Sequence, residues 1–469
     1  MEQKLNSQHV NENKMGYAPV LPLIISMSLP AMFSMLIQAL YNIVDSIFVA
    51  NYDPDALTAV NLAFPIQMLM IAVAVGTGIG INSLVSRRLG EGSHEEASHA
   101  ATHGIVLGVA SWVVFAVLGL FFAQMFFSLF TQNSKIMGLG TEYLQICMIF
   151  SMGVFVEINI EKTLQATGNM IYPMVFQLIG AITNLILDPI LIFGFNMGIQ
   201  GAAIATVAGQ ILAMVFSVFI ILTKNHEVHI SFKNFKLRGK TIKDIYAVGV
   251  PSIIMQSIGA FMVSALNGVL RASDAAVNIL GIYYKLQSFV FMPVFGLTHG
   301  VMPIMGYNYG ARNKQRLVQA LKYGCIIAVV IMAAGTLIFW MIPGLLIQIY
   351  NPSAEMMRLG VGALRIISLS FIPAALGILF SSLFQAVGMG IKSLCISVLR
   401  QLVIILPVAF LLSLIEISLV WYAFPIAEVV SMVASILLFI GVYKKQIRDL
   451  APFNFEEDHL NQMEQPSNA

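Results

Sequence analysis

Two carboxylates stand in long apolar runs of this chain, each with polar company. Asp45 lies in Tyr41-Asn42-Ile43-Val44-Asp45-Ser46, well along the first run and toward its far end. Asp188 belongs to Thr183-Asn184-Leu185-Ile186-Leu187-Asp188-Pro189. Positions i and i+4 share a helix face, so the Asn184 amide and the Asp188 carboxylate project together. Two carboxylates with amide and hydroxyl oxygens suit a hard cation such as Na⁺. One desolvated carboxylate can hold a proton instead. A purely structural reading would put Asp45 in a wet outer vestibule and leave Asp188 to cap the chain before Pro189. If the runs cross a bilayer, an ionised group costs about 2.5–3.5 kcal/mol at the centre of a span, which favours a working role.

Other ionisable residues fall in the same kind of sequence. Glu157 and Glu161 are i, i+4 in the fourth run, and Glu161 either pairs with Lys162 or faces a cavity. Lys285, in the eighth run, reads as neutralising a carboxylate or lining that cavity. Arg365, Arg400 and Glu428 read as ion pairs or as side chains reaching outward to the interface. The histidines read as loop or loop-proximal, with His103 solvated and none in mid-run. Cys147, Cys325 and Cys395 match no metal or disulfide spacing and read as apolar filler. No phosphate-loop signature and no nucleophile constellation is present, so the chain reads as neither an ATPase nor any other enzyme. No organic cofactor is expected.

The elements that must position these groups are helices in a membrane. The chain is 58% hydrophobic and 10% charged, where a soluble domain carries about 25% charged residues. A net charge of +2 gives no reason to expect nucleic acid. Runs of about 20 apolar residues, the length that spans a bilayer, lie near 19–50, 57–84, 97–126, 138–166, 170–196 and 198–223, then 243–270, 275–306, 317–348, 355–386, 391–414 and 418–443. Strand alternation is absent over these lengths, which argues against a β-barrel. Trp340 and Trp421, near span ends, read as interfacial anchors. Prolines interrupt many runs, and Pro30, in the same run as Asp45, is a candidate hinge.

The second half repeats the first. Gly76, Gly80, Gly90, Gly104 and Gly140 recur 220 residues on as Gly296, Gly300, Gly310, Gly324 and Gly360, and Gln165-Ala166-Thr167-Gly168 recurs as Gln385-Ala386-Val387-Gly388. Six spans per half is an even number, so both halves share one orientation, about an axis along the membrane normal. Arg87, Arg88, the lysines between 224 and 243, Arg312, Lys314, Arg316, Lys392, Lys444, Lys445 and Arg448 fall on one side; Lys135, Arg271 and Arg358 fall on the other. The positive-inside rule places the first set and both termini in the cytoplasm. The chain therefore divides into a tail at 1–18, a first lobe at 19–223, a cytoplasmic linker at 224–244, a second lobe at 245–445 and a polar tail at 446–469. Neither Asp45 nor Asp188 has an acidic counterpart in the second half, as expected if coupling belongs to the first lobe alone.

These motifs resemble the MATE family, the multidrug and toxic compound extrusion transporters, along nearly the whole chain. The resemblance rests on Ser28-Leu29-Pro30 leading to Tyr41-Asn42-Ile43-Val44-Asp45, on Ser86-Arg87-Arg88-Leu89-Gly90, on Gln165-Ala166-Thr167-Gly168 and on Asn184 through Pro189. It is nearest to the DinF-like bacterial branch. It implies an all-α membrane protein of twelve helices in two pseudo-symmetric lobes, acting as a monomer in a bacterial inner membrane. It implies export of organic cations in exchange for Na⁺ or H⁺. By that likeness the cation site is Asp45, Asn184, Asp188 and Thr206, the last in Gly201-Ala202-Ala203-Ile204-Ala205-Thr206. Tyr41, Asn42, Glu161, Gln256 and Lys285 are weaker candidates for the substrate cavity. The seventh run offers only Gln256 and the tenth no acid, which argues against a cation site in the second lobe. The alternatives are a flippase of lipid-linked saccharides, which would call for a cavity rich in Arg and Lys, and a channel, which would call for rings of filter residues on a central axis.

On this reading Asp45→Asn keeps the side-chain shape and removes its charge. Protection of cells against ethidium-like cations should be lost while expression and membrane insertion stay normal; retained protection would remove Asp45 from the coupling site.

Overall fold

The computed structural model describes residues 13–450 except 225, 226, 234 and 351; the side chains at 39, 41–43, 45–47, 50, 51 and 54 also lie outside the described set. Among the described residues there are only helices. Ten are long and apolar enough to cross a membrane, and two bent pairs bring the number to twelve. In chain order these are α1 (Val20–Tyr52), α2 (Pro54–Gly90), α3 (His94–Phe130), α4 (Ser134–Ile149 with Met152–Ala166), α5 (Ile171–Gly194) and α6 (Gly198–Thr223), then α7 (Gly239–Leu270), α8 (Asp274–Gly310), α9 (Lys314–Met341), α10 (Ala354–Ser368 with Phe371–Ala386), α11 (Gly390–Ser413) and α12 (Ile417–Ile447). The two bent spans, α4 and α10, are repeat mates, and each bends by 44°.

The repeated Gln-Ala-x-Gly motif is a helix stop. Gly168 and Gly388 take left-handed φ values of 85° and 84°. Their N–H groups donate to the Gln165 and Gln385 carbonyls, and the next residues reach back to Leu164 and Phe384. This is the glycine C-cap turn, open to glycine because it lacks a Cβ.

The repeated glycines do something else: they let the lobes touch backbone to backbone. A Cβ on Gly80 would overlap the Ile245 carbonyl of α7, and one on Gly76 would meet Ile253. Their mates face α1, where a Cβ on Gly296 would lie 2.6 Å from Met32 Cα and one on Gly300 would overlap Ser28. The Ser28 hydroxyl donates to the Leu297 carbonyl at 3.4 Å. Farther along, the ends of α2 and α8 cross. Gly90 abuts the Tyr307 carbonyl and Gly310 abuts the Arg87 carbonyl. Since 87 + 220 = 307 and 90 + 220 = 310, these two contacts are one contact seen from both sides of a pseudo-twofold axis.

All these crossings lie in the half that carries residues 13–20 and 447–450. The same side is strapped by a short helical turn, Lys14–Tyr17. Asn13 Nδ2 donates to the Thr167 carbonyl at 2.9 Å and to Glu227 Oε2 at 2.8 Å. Asn308 Nδ2 and Arg316 Nη2 donate to the Met15 carbonyl at 3.0 and 3.1 Å, and Met15 itself is fully buried. The strap therefore bonds to both lobes and to the connection between them.

Arg87 and Arg88 stand in the last turn of α2. Three expectations change. Residues 239–244 of the expected linker already belong to α7. His229 and Arg238 of that linker bond to α3: the His229 N–H donates to the Ser98 hydroxyl at 3.0 Å, and His103, which is completely buried rather than solvated, accepts the Arg238 N–H on Nε2 at 2.9 Å. Trp421, in the first turns of α12, is buried in the core of the second lobe instead of anchoring at an interface; Trp340 stays half exposed.

The glycine crossings make a sharp test. Gly80→Val forces a side chain into a carbonyl that cannot retreat, and overpacking of this kind costs about 1–3 kcal/mol. Its melting temperature in detergent should fall accordingly. Gly268→Ala, where no atom outside the helix lies within 4 Å of the new Cβ, should leave the melting temperature unchanged or raise it.

Candidate functional site

Above the crossings the lobes part around a cavity of about 710 Å³. That is within the range of pockets that hold drug-sized ligands. Much of its wall is apolar, with Met35 from α1, Met68 and Val75 from α2, Met255 from α7 and Phe295 from α8. Methionine and phenylalanine offer polarisable surface that adapts to irregular shapes.

The first-lobe polar cluster forms as the i, i+4 spacing requires. Asn184 and Asp188 are buried on α5, and Thr206 of α6 joins them. With its amide turned to satisfy both neighbours, Asn184 Nδ2 donates to Asp188 Oδ2 at 3.2 Å, while its oxygen accepts from the Thr206 hydroxyl and the Thr206 backbone N–H, each at 3.3 Å. Thr206 thus donates to Asn184, and Asn184 donates to Asp188. A carboxylate, an amide oxygen and a hydroxyl converge, which is the donor set of a hard cation. Asn184 and Thr206 line the cavity, so the cluster communicates with it. Just beyond Asp188, Pro189 lacks an N–H and the chain runs into a π-helical turn, Ile190–Gly194. The side chains of Tyr41, Asn42 and Asp45 lie outside the described residues; the helix that carries them is α1, with Pro30 inside it.

A second polar group occupies the second arm of α4. Lys162 Nζ donates to Glu161 Oε1 and Gln165 Oε1, both at 3.0 Å. Gln165 Nε2 donates to Glu161 Oε1 at 2.8 Å, and Gln177 Nε2 of α5 donates to Glu161 Oε2 at 2.9 Å. Glu161 therefore both pairs with Lys162 and lines the cavity. Glu157, one turn earlier, lines it too.

The second lobe contributes Arg400 and Glu428, paired at 3.3 Å, from α11 and α12. Arg400 and Gln401 sit in a π-helical stretch, Leu399–Ile405, just before Pro407. Widening a helix in this way re-aims side chains, and π-turns gather at functional sites. Gln401 Nε2 donates to the Ser397 hydroxyl at 2.7 Å, and Gln256 lines the wall as expected. Among the described lining residues, three acids (Glu157, Glu161, Glu428) face two bases (Lys162, Arg400), so the wall carries one acid more than it has bases.

Two expectations fail here. Lys285 does not line the cavity: it is exposed, with its ammonium over the Tyr350 ring at 5.6 Å. His299 does lie in mid-span on α8 and lines the cavity. Applying to histidine the test used for acids, an ionisable group inside an apolar run, would have found it. At the far end Lys135 donates to Asp53 at 2.8 Å and Asp55 at 2.7 Å. Its ammonium holds the partly buried Asp53 carboxyl below the ordinary carboxylate range.

The Arg400–Glu428 pair can be weighed by a double-mutant cycle. Arg400→Met strands a mostly buried carboxylate and should cost about 2–3 kcal/mol, somewhat less than a fully buried pair. Arg400→Met with Glu428→Gln should cost less than the sum of the single changes, measured by thermal unfolding in detergent.

A family model, MatE, matches residues 30–190 and 248–411. The multidrug export protein MepA of Staphylococcus aureus is 25% identical over 424 residues, covering 90% of this chain and 94% of its own. MepA of Staphylococcus haemolyticus is 26% identical over 406 residues, covering 86% and 89%. Among solved structures, one described as the outward-facing conformation of a multidrug resistance MATE family transporter superposes with a TM-score of 0.88 at 26% identity, over 93% of this chain and 99% of that one. A transporter from Pyrococcus furiosus, described as having a binding pocket of reverse polarity, gives 0.87 at 25% identity over the same shares.

Proposed function

The chain belongs to the MatE family, and from that premise we propose that it is a multidrug efflux antiporter, which exports organic cations in exchange for Na⁺ or H⁺. The observation that carries the proposal is the cavity. It is large, apolar over much of its wall and net negative when ionised, and it adjoins the Asn184–Asp188–Thr206 cluster. A net-negative apolar cavity favours lipophilic cations. A flippase of pyrophosphate-linked saccharides would need surplus positive charge, yet Lys162 and Arg400 are each neutralised by a carboxylate.

In this reading the basic end of the molecule faces the cytoplasm of a bacterial cell, with both termini inside. Lys135 does not counter that bias, since Asp53 and Asp55 offset it. The lobes are then shut on the cytoplasmic side, and the coupling ion enters the Asp188 cluster from the other. Asn184, Asp188 and Thr206 would hold Na⁺ through three oxygens, or Asp188 would take a proton. Binding would replace hydrogen bonds within the cluster and draw on α1, whose Pro30 is the proposed hinge. The lobes then rock about the glycine crossings.

The test is ethidium transport by everted vesicles, first under a Na⁺ gradient and then under a pH gradient. One of the two should drive transport, and Asp188→Asn should abolish that drive. Transport that ignores both gradients would overturn antiport. Unchanged transport by Asp188→Asn would return Asp188 to a capping role.

A further inference from the structure

Among the described residues, Glu157 is the acid of this cavity that forms no ion pair. It is 8% exposed, and its Oε1 has no hydrogen-bond donor. Its neighbours are committed elsewhere. Lys162 is the nearest cation in sequence, but its ammonium is held by Glu161 and Gln165. Glu161 has both oxygens filled, one by Lys162 and Gln165 and the other by Gln177. Glu428 also keeps one oxygen without a donor, but Arg400 meets its charge. When the wall is ionised, Glu157 is thus the described acid whose charge no ion pair offsets. Burying an unpaired carboxylate is unfavourable, and inside a membrane such a group marks a binding or transport role.

We propose that Glu157 is the subsite that takes the cationic nitrogen of the exported molecule. This rests on the efflux reading above and deepens it. The ligand class is an amphiphilic monovalent organic cation, with its charge at Glu157 and its apolar body against Met35, Val75, Met255 and Phe295. A bare metal ion fits less well, because a hard cation wants several converging oxygens and Glu157 offers one free carboxylate in a cavity of about 710 Å³. The Asn184–Asp188–Thr206 cluster supplies the converging oxygens. The molecule then holds two cation sites of different character: a hard one for the coupling ion and a soft-walled one for the substrate.

The probes are ethidium, whose quaternary nitrogen cannot lose its charge, and 6-phenylphenanthridine, its uncharged frame. Both are titrated by fluorescence into the purified full chain at one fixed pH. Glu157→Gln should weaken ethidium at least tenfold and change the neutral frame less than twofold, and Glu157→Asp should recover most of the ethidium affinity. Melting temperature should not fall in Glu157→Gln, because the substitution keeps the shape of the side chain and breaks no ion pair. If that variant does not fold, the wild-type protein gives the answer: ethidium should protect Glu157 from an apolar carbodiimide, read by mass spectrometry. Ethidium affinity within twofold of wild type in Glu157→Gln, or carbodiimide labelling that ethidium leaves unchanged, overturns the subsite while leaving efflux intact. A wild-type protein that neither binds nor moves ethidium overturns both.

Discussion

Contact between bare backbones, with glycine on one side of each, is what the rest of this structure depends on. Gly90 meets the Tyr307 carbonyl and Gly310 meets the Arg87 carbonyl. The arrangement is isologous, as in a two-fold dimer, except that one chain supplies both partners. Small residues allow such approach between membrane helices, where van der Waals packing substitutes for the hydrophobic effect. Because α2 meets α7 and α8 meets α1 at glycines, the lobes converge at one end and diverge toward the other. The cavity is the space left by that divergence. Its depth and its closed floor follow from where the glycines stand.

The polar groups inside the cavity obey a second constraint. In a bilayer a charge has to be matched or used. Lys162 with Glu161 and Arg400 with Glu428 are matched. The Asn184–Asp188–Thr206 set is ordered as a directed chain of hydrogen bonds. Matching on both lobes leaves the cavity with little net field, so a single carboxylate can decide the sign of what enters. A spacious apolar wall then accepts many shapes, while the charge requirement stays narrow.

Much of this was legible in the sequence, for physical reasons. A bilayer imposes a minimum apolar length, so twelve spans could be counted from composition alone. Helical periodicity placed Asn184 beside Asp188, and the 220-residue register singled out the glycines. What those glycines touch was not legible: nothing in the chain says that Gly80 faces Ile245. Direction around a helix was not legible either, which is why Lys285 was taken for a cavity residue although it faces outward. Trp421 misled because a position near a span end was read as an interface, whereas its side chain packs into the core of the second lobe. His299 was missed by assigning histidines to loops, although its run is as apolar as those carrying the acids. Asp45 stands on its motif and on α1.

The strap at Lys14–Tyr17 has a consequence for how the molecule is made. Its lobe-to-lobe bonds join residues 293 and 301 positions apart, Met15 to Asn308 and Met15 to Arg316. At a synthesis rate of about 5–20 residues per second, its second-lobe partners emerge roughly 15–60 s after the strap. For much of that interval the glycine faces of α2 also lack α7, which follows them in the chain. The first lobe must persist in the bilayer as a half-molecule, with lipid against the surfaces that the second lobe will later cover. Assembly therefore ends, rather than begins, with the residues made first.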